Sequence, residues 1–536
     1  MKNRTVIFAG LTAAFGLLMS LPWLVPHCGW TALLGLLPLL IMERLASQEK
    51  VRHFFWWHYA AFVLWNGLTT WWIGLATVGG AVFAVLANAL QMSVIFGAFR
   101  WVKRRTGGVL PYLFLASAWL AWEHYYLTSA QISWPWLVLG NAFADTTSLV
   151  QWYDVLGTLG GSLWVWVSNL SLFGLMVALS DGRMARWNGK ARAAALAGAV
   201  TALFGPMLWS AASIRVPEKG APLAVVIAQP NLDPYEKFGG LSQEAQDARL
   251  LGLIDSVGVP AGPSLVLAPE TFHRSLSLDN ILADPAFQRY QDWLSAHPGA
   301  TFVFGASAHE RTVGYAAPNI LSRDLGKADA AGRHLWFTSH NSAVATDSTG
   351  RYEVFHKSKL VVGVELTPYP KVFLPLEKAL GGDLMGKCVG QPAVSCLHLV
   401  GGTPFGCAVC YESVYGDYCA EYVRRGARFL TVITNDAWWG STPGYRQHFN
   451  YSRLRAIETR RWVARCGNTG ISAIIDPSGR VVSRTPWLQQ TALSGTVRLR
   501  EDRTFFVRYG DMVGRVSVFV FLLLAAAAVF RPRKRR

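Results

Sequence analysis

Apolar residues run in long, nearly unbroken stretches through the first two fifths of the chain. They cover residues 5–24, 30–46, 54–77, 80–101, 110–127, 156–180 and 191–214. Each is close to the roughly 20 residues that an α-helix needs to cross a hydrocarbon core. The pattern then changes. From 216 to 508 charged and apolar positions mix, and turn signals such as DPSG (476–479) appear. Apolar runs here shorten to strand length: 223–231, 264–270, 301–307, 341–346, 403–410, 429–435 and 472–476. Helical patterns lie between them at 241–257, 413–425 and 447–465. In the last of these, Phe449, Arg453, Ile457 and Arg460 mix apolar and basic faces. Apolar strands alternating with helices predict an α/β layered domain. A last apolar run, Met512–Phe530, precedes RPRKRR. The pattern therefore predicts three parts. Residues 1–215 form a seven-span membrane domain, 216–508 a folded domain, and 509–536 an eighth span with a basic tail.

Composition fits this division. Of 536 residues, 52% are hydrophobic and only 15% charged, against roughly 25% charged in ordinary globular chains. Tryptophan is abundant at 23, as expected where aromatic residues sit at membrane interfaces. The net charge of +17 raises nucleic-acid binding as a possibility. The position of the charge excludes it. Lys2 and Arg4, then Arg44, Lys50 and Arg52, then Arg100 to Arg105, then Arg183 to Arg192, and finally the tail, lie at alternate crossings. The intervening connections 25–29, 78–79 and 128–155 hold no Lys or Arg. Basic loops stay on the cytoplasmic side, so seven spans carry 216–508 to the outer side. The first run is expected to stay as a span, since no small-residue cleavage site precedes 22–26.

Three places in the folded domain carry candidate chemistry. Glu270 ends an apolar strand directly after Pro269. Lys357 lies in FHKSKL (355–360), with Glu365 beyond it. GCAVCYESVYGDY (406–418) places Cys410, Tyr411 and Glu412 between a strand and a helix. That elbow exposes a nucleophile at a sharp turn, and a helix N-terminus there would lower the thiol pKa. Cys407 is three residues earlier on the strand, so its side chain is expected on the opposite face. A redox C-x-x-C is disfavoured for that reason. Zinc would need a second ligand pair, which Cys396, His398 and Cys419 do not supply as C-x-x-C. Cys388 and Cys396 are near enough in sequence for a disulfide outside the cytoplasm.

Glu270 in APE, Lys357 in HKSKL and Cys410 in CYES occur in the order of the nitrilase-type Glu-Lys-Cys triad. With eight spans around them, the chain resembles the apolipoprotein N-acyltransferase family of the nitrilase superfamily. Gln229, NDAWWG (435–440) and the stretch 444–470 carry the resemblance further. One departure is local: the family's Pro-Phe-Gly before the glutamate is replaced by Val362-Gly363-Val364. The resemblance implies an α-β-β-α sandwich for 216–508. It implies catalytic Glu270, Lys357 and Cys410, with Glu365, Tyr411, Glu412 and Phe238 as supporting or substrate-binding residues. It implies no metal and no cofactor. It implies a phospholipid donor, a diacylglyceryl-apolipoprotein acceptor, and an inner-membrane location with the catalytic domain facing the periplasm.

For the chemistry, Glu270 is expected to act as general base with a pKa raised by burial. Lys357 is expected to stabilise the oxyanion. The glycine-rich stretch 381–390 is a candidate lid. Two other functions stay open: a membrane-tethered amidase or nitrilase, and a non-catalytic lipid- or lipoprotein-binding relative.

Overall fold

The structure, a computed structural model, describes residues 2–379 and 385–530. The RPRKRR tail and residues 381–384 of the lid candidate lie outside the described residues. Among the described residues, six helical segments are long and apolar enough to cross a membrane: Arg4–Leu24, Gly29–Gln48, Val78–Arg105, Tyr153–Ser180, Gly189–Ser213 and Met512–Phe530. The third and fifth expected spans fall short for physical reasons. Phe54–Thr70 is a helix of only 17 residues, and the chain turns before a further short helix at Ile73–Ala76. Leu110–Thr128 has 19 residues but carries Glu123 and His124 among its aromatics. Both nonetheless pack within the bundle. Phe62 meets Phe15 with ring centroids 5.5 Å apart, and Phe114 meets Phe521 at 5.5 Å. The eight helices together form a multi-pass membrane bundle whose centre is aromatic, with Trp65, Trp119, Trp136, Trp152 and Trp166 fully buried.

The second part is a two-sheet sandwich. In the first sheet, the strands Thr491–Leu499, Ala221–Gln229, Ser264–Leu267, Ala300–Gly314, His334–Thr346 and Arg323–Lys327 follow one another across the sheet. In the second, the order is Val481–Arg484, Ala473–Ile475, Val463–Gly467, Leu430–Thr434, Pro404–Val409 and Leu397–His398. Alternation within one strand shows how the layers form. Val225 and Ile227 face the second sheet and pack in one core with Val409, Ile433 and Ala464. Val226 and Ala228 point the other way, against Leu250 and Ile254 of the helix Gln243–Val257 and Phe287 of Pro285–Ser295. Period-two alternation with both faces buried is what a strand covered on both sides requires.

The helix Pro443–Thr459 joins the sandwich to the bundle. Its Gln447 accepts from Trp136 Nε1 at 2.7 Å and donates to the Trp23 and Thr69 carbonyls. Tyr451 accepts from Trp23 Nε1 at 3.0 Å and donates to the Trp136 carbonyl. Glu458 accepts from both the amide and the hydroxyl of Thr158. The periodicity predicts a helix running to 465, but it stops at Thr459. Arg460 takes a left-handed φ of 48°. Its guanidinium is held by Asp154 and Gln151 of the bundle. The next segment, Val463–Gly467, is a buried strand. A contact from another domain ends this helix, which no local pattern could signal.

Candidate active site

Cys410 sits where the strand Pro404–Val409 passes into a 3-10 turn, Cys410–Val414, followed by the helix Gly416–Arg424. Its φ is +51°. That left-handed conformation is costly for a side chain with a Cβ and is found where a structure holds a functional group in place. The elbow expected from the sequence is therefore present. Glu270 follows the strand Ser264–Leu267, and Gly305 of the neighbouring strand lets it in. A Cβ at position 305 would stand 2.5 Å from Glu270 Cα.

The ionic core of the site is compact. Lys357 Nζ donates to Glu270 Oε1 at 3.0 Å and to Glu365 Oε1 at 2.9 Å. The Lys357 side chain is 1% exposed and that of Glu270 8%. Asn341 Nδ2 donates to the same two carboxylates, at 2.7 and 2.6 Å. The Asn435 amide donates to the other Glu270 oxygen at 3.1 Å. Glu365 also accepts from the Val361 amide at 2.7 Å, which closes the altered loop back on its lysine. Lys359, the second lysine of FHKSKL, turns away. Its Nζ donates to the Thr128 carbonyl of the bundle and lies over the Tyr415 ring.

Two electrostatic expectations are corrected. Burial opposes the charge on Glu270, but the Lys357 ammonium, its hydrogen bond, the Asn341 amide and the Cys410 thiol together hold the carboxyl below its usual range. It is an ionised carboxylate, not an acid raised by burial. Burial pushes the Cys410 thiol well up, and the negative Glu270 pushes it further than Lys357 pulls it back. The helix N-terminus does not give a resting thiolate. Lys357 is correspondingly held as a cation: burial opposes its charge, and Glu270, Glu365 and Cys410 outweigh that. The site thus pairs a neutral thiol with an ionised carboxylate.

The supporting residues divide. Glu412 is buried and ties the elbow to the lysine loop. Its carboxylate accepts from the Val409 amide at 2.8 Å, the Ser358 amide at 2.7 Å and the Tyr418 hydroxyl at 2.6 Å. Burial raises it to about 7 against these bonds. Tyr411 points instead at the bundle, donating to the Ser133 carbonyl at 3.0 Å and stacking on Trp134. Phe238 lies on the rim, 44% exposed, stacked on Trp438 with centroids 6.4 Å apart. Gln229 lies outside this ionic core and fastens the sandwich through Thr485, Ser472 and the Pro486 carbonyl.

Sequence reasoning missed several residues here. The sequence pattern places Asn341 only at the start of a strand. Lys237, beside Phe238, is buried and donates to the Glu270 carbonyl at 3.0 Å and to Thr271 Oγ1 at 2.9 Å. His448 lies behind the elbow. Its Nε2 is 3.0 Å from Ser413 Oγ and 3.1 Å from the Cys410 carbonyl, and its Nδ1 is 2.8 Å from Asp436. Arg465 donates to the second Asp436 oxygen at 2.6 Å. Cys410, Asp436 and His448 each bring one donor atom within 4.8 Å of the others. The signal for Asp436 and His448 was in the quoted NDAWWG and 444–470 stretches, but nothing local joined them.

The remaining thiols are not paired. All seven cysteines are free, so Cys388 and Cys396 form no disulfide. Cys396 Sγ lies against the Tyr422 carbonyl instead, at 3.5 Å. Cys407 is buried in the sandwich core, its carbonyl accepting from Tyr422 at 2.8 Å. The described part of the lid candidate hydrogen-bonds to the loop that follows Lys357. Gly386 N donates to Gly363 O at 3.0 Å, and Cys388 N to Glu365 O at 2.8 Å.

Known proteins resemble this chain in both parts. The description "Apolipoprotein N-acyltransferase N-terminal domain" matches residues 15–171, and "Carbon-nitrogen hydrolase" matches 286–503. An apolipoprotein N-acyltransferase from Chlorobaculum tepidum is 30% identical over 98% of this chain and 97% of its own. One from Gloeobacter violaceus is 28% identical over 97% of this chain and 94% of its own. Among solved structures, Saccharomyces cerevisiae Nit3, of the nitrilase superfamily, aligns with 53% of this chain and 93% of its own at 13% identity and a TM-score of 0.35. With a relative 30% identical along almost the whole length of both proteins, the chain belongs to the apolipoprotein N-acyltransferase family.

Proposed function

We propose that this protein moves an acyl chain from a membrane phospholipid to the α-amine of a diacylglyceryl-cysteine at the N-terminus of an apolipoprotein. The observation that carries the reading is a neutral thiol at a left-handed elbow, a Glu270–Lys357 ion pair beside it, and a domain mounted on a membrane bundle. Family membership favours this over a membrane-tethered amidase and over a non-catalytic binder. The alternation of basic loops supports an inner-membrane location with the sandwich, within 216–508, facing the periplasm.

The roles follow from the charges. Glu270 takes the Cys410 proton as the sulfur attacks the phospholipid ester carbonyl. The Lys357 ammonium and the backbone N–H after Cys410 stabilise the tetrahedral oxyanion. Collapse breaks the ester bond, and Glu270 returns the proton to the departing lysophospholipid oxygen. Cys410 now carries the chain as a thioester. The acceptor amine attacks it, loses a proton to Glu270, and forms the amide. The departing Cys410 sulfur recovers that proton. Glu365, Asn341 and Glu412 hold the lysine loop and the elbow in register. Because both substrates keep acyl chains in the bilayer, at about 0.8 kcal/mol per buried CH₂, the membrane mounting brings the site to them.

The test is transfer from phospholipid to a diacylated lipopeptide. Cys410→Ala should abolish transfer, and Glu270→Gln should lower it by about 10²–10⁴-fold. Full transfer by Cys410→Ala would refute the proposal.

A further inference from the structure

A cavity of about 1280 Å³ is not lined by Cys410, Glu270 or Lys357. It lies on the other side of the helix Pro443–Thr459. Residues 446, 449, 450 and 453 of that helix line the cavity, at i, i+3, i+4 and i+7. His448, Ser452 and Arg455 lie on the face toward the elbow, where His448 meets the Cys410 carbonyl and Arg455 the Val414 carbonyl. One helix therefore separates two sites.

The cavity combines apolar residues with six arginines, Arg215, Arg446, Arg453, Arg480, Arg484 and Arg500. Leu24, Trp30 and Ile214 line it where the spans Arg4–Leu24 and Gly189–Ser213 end, so it opens at the level of the membrane surface. Its three acids are already engaged: Asp145 with Arg453, Asp476 with Arg480, and Glu218 with Arg498. Arg215, Arg446 and Arg484 line the cavity, are exposed, and pair with no carboxylate among the described residues. Three unneutralised guanidiniums in one cavity with apolar residues at a span end match an anionic headgroup with its chains in the bilayer. Guanidinium is suited to phosphate oxygens, and basic residues near a membrane surface attract anionic lipid.

We propose that this cavity binds an anionic glycerophospholipid, separately from the acyl-transfer site, with its phosphate among Arg215, Arg446 and Arg484. The proposal does not depend on the reaction at Cys410. It is tested by native mass spectrometry of the delipidated full chain, titrated with phosphatidylglycerol, with phosphatidylcholine of the same chains, and with glycerol 1-phosphate. Wild type is expected to bind phosphatidylglycerol about tenfold more tightly than phosphatidylcholine. Arg446→Gln/Arg484→Gln is expected to lose that preference while keeping the wild-type unfolding midpoint. Equal binding of the two lipids by wild type overturns the proposal, whether or not the variant folds. So does a folded variant that keeps the preference. Displacement of the lipid by an equal concentration of glycerol 1-phosphate would make this a soluble-anion site and overturn the lipid assignment.

Discussion

Glu270 shows how a charge network decides a role. A carboxyl this buried would ordinarily hold its proton, but Lys357 and Asn341 keep it ionised. The acid limb of thioester formation should therefore lie below pH 4.5, Glu270's ordinary value. A depressed pKa keeps the base competent above that range and loses it only as pH falls through the folded value. A single-turnover pH profile checks this, and an acid limb near pH 7 would contradict it. Asn341 is the next most informative residue. Asn341→Leu removes one donor from two carboxylates, each such bond to a charged group being worth about 1.5–3 kcal/mol. Transfer should fall at least about tenfold with substrate affinity unchanged, read as kcat against KM. Lys237 gives a stability signature. Burial lowers it from 10.5 to about 7, and Glu270 pulls the other way without offsetting that. Between pH 7 and 10 the unfolded chain then binds the extra proton, so this group makes stability rise with pH. Lys237→Met should lose that rise, measured as the slope of the unfolding midpoint with pH.

At the scale of elements, the chain advertised some features and hid others. Alternating apolar strands marked both sheets, and the order of Glu270, Lys357 and Cys410 marked the site. The end of the Pro443–Thr459 helix was hidden because Arg460 is fixed by Gln151 and Asp154, about 300 residues away in sequence. The His448–Asp436–Arg465 chain was hidden for a different reason: its members are only 12 and 29 positions apart but sit on three separate elements that meet behind the elbow. Cys407 reads correctly as a packing residue, and Cys407→Ala should keep transfer near the wild-type rate. The disulfide expectation failed because Cys396 faces the Tyr422 carbonyl rather than Cys388. Alkylation of the denatured, unreduced protein should add seven labels; five would mean that a disulfide forms after all.

At the scale of the whole molecule, the sandwich and the bundle share buried polar groups. Glu458 accepts from Thr158 of the bundle and pairs with Arg455 at 3.0 Å, both side chains at most 1% exposed. Glu458→Ala leaves a buried guanidinium without its partner, a change that costs about 3–5 kcal/mol. The unfolding midpoint in detergent should drop accordingly. The hydropathy pattern made the bundle legible, but not its two imperfect members, because a helix of 17 residues and one bearing Glu123 are rescued by neighbours rather than by their own apolarity. The acyl-enzyme is the claim on which the rest depends. The protein should be incubated with phospholipid and no acceptor, digested, and analysed by mass spectrometry. One acyl group on the peptide containing Cys410, absent in Cys410→Ala and released by the lipopeptide amine, is the predicted result. An unmodified Cys410 during active transfer, or an acyl group carried by Cys407 instead, would contradict the account.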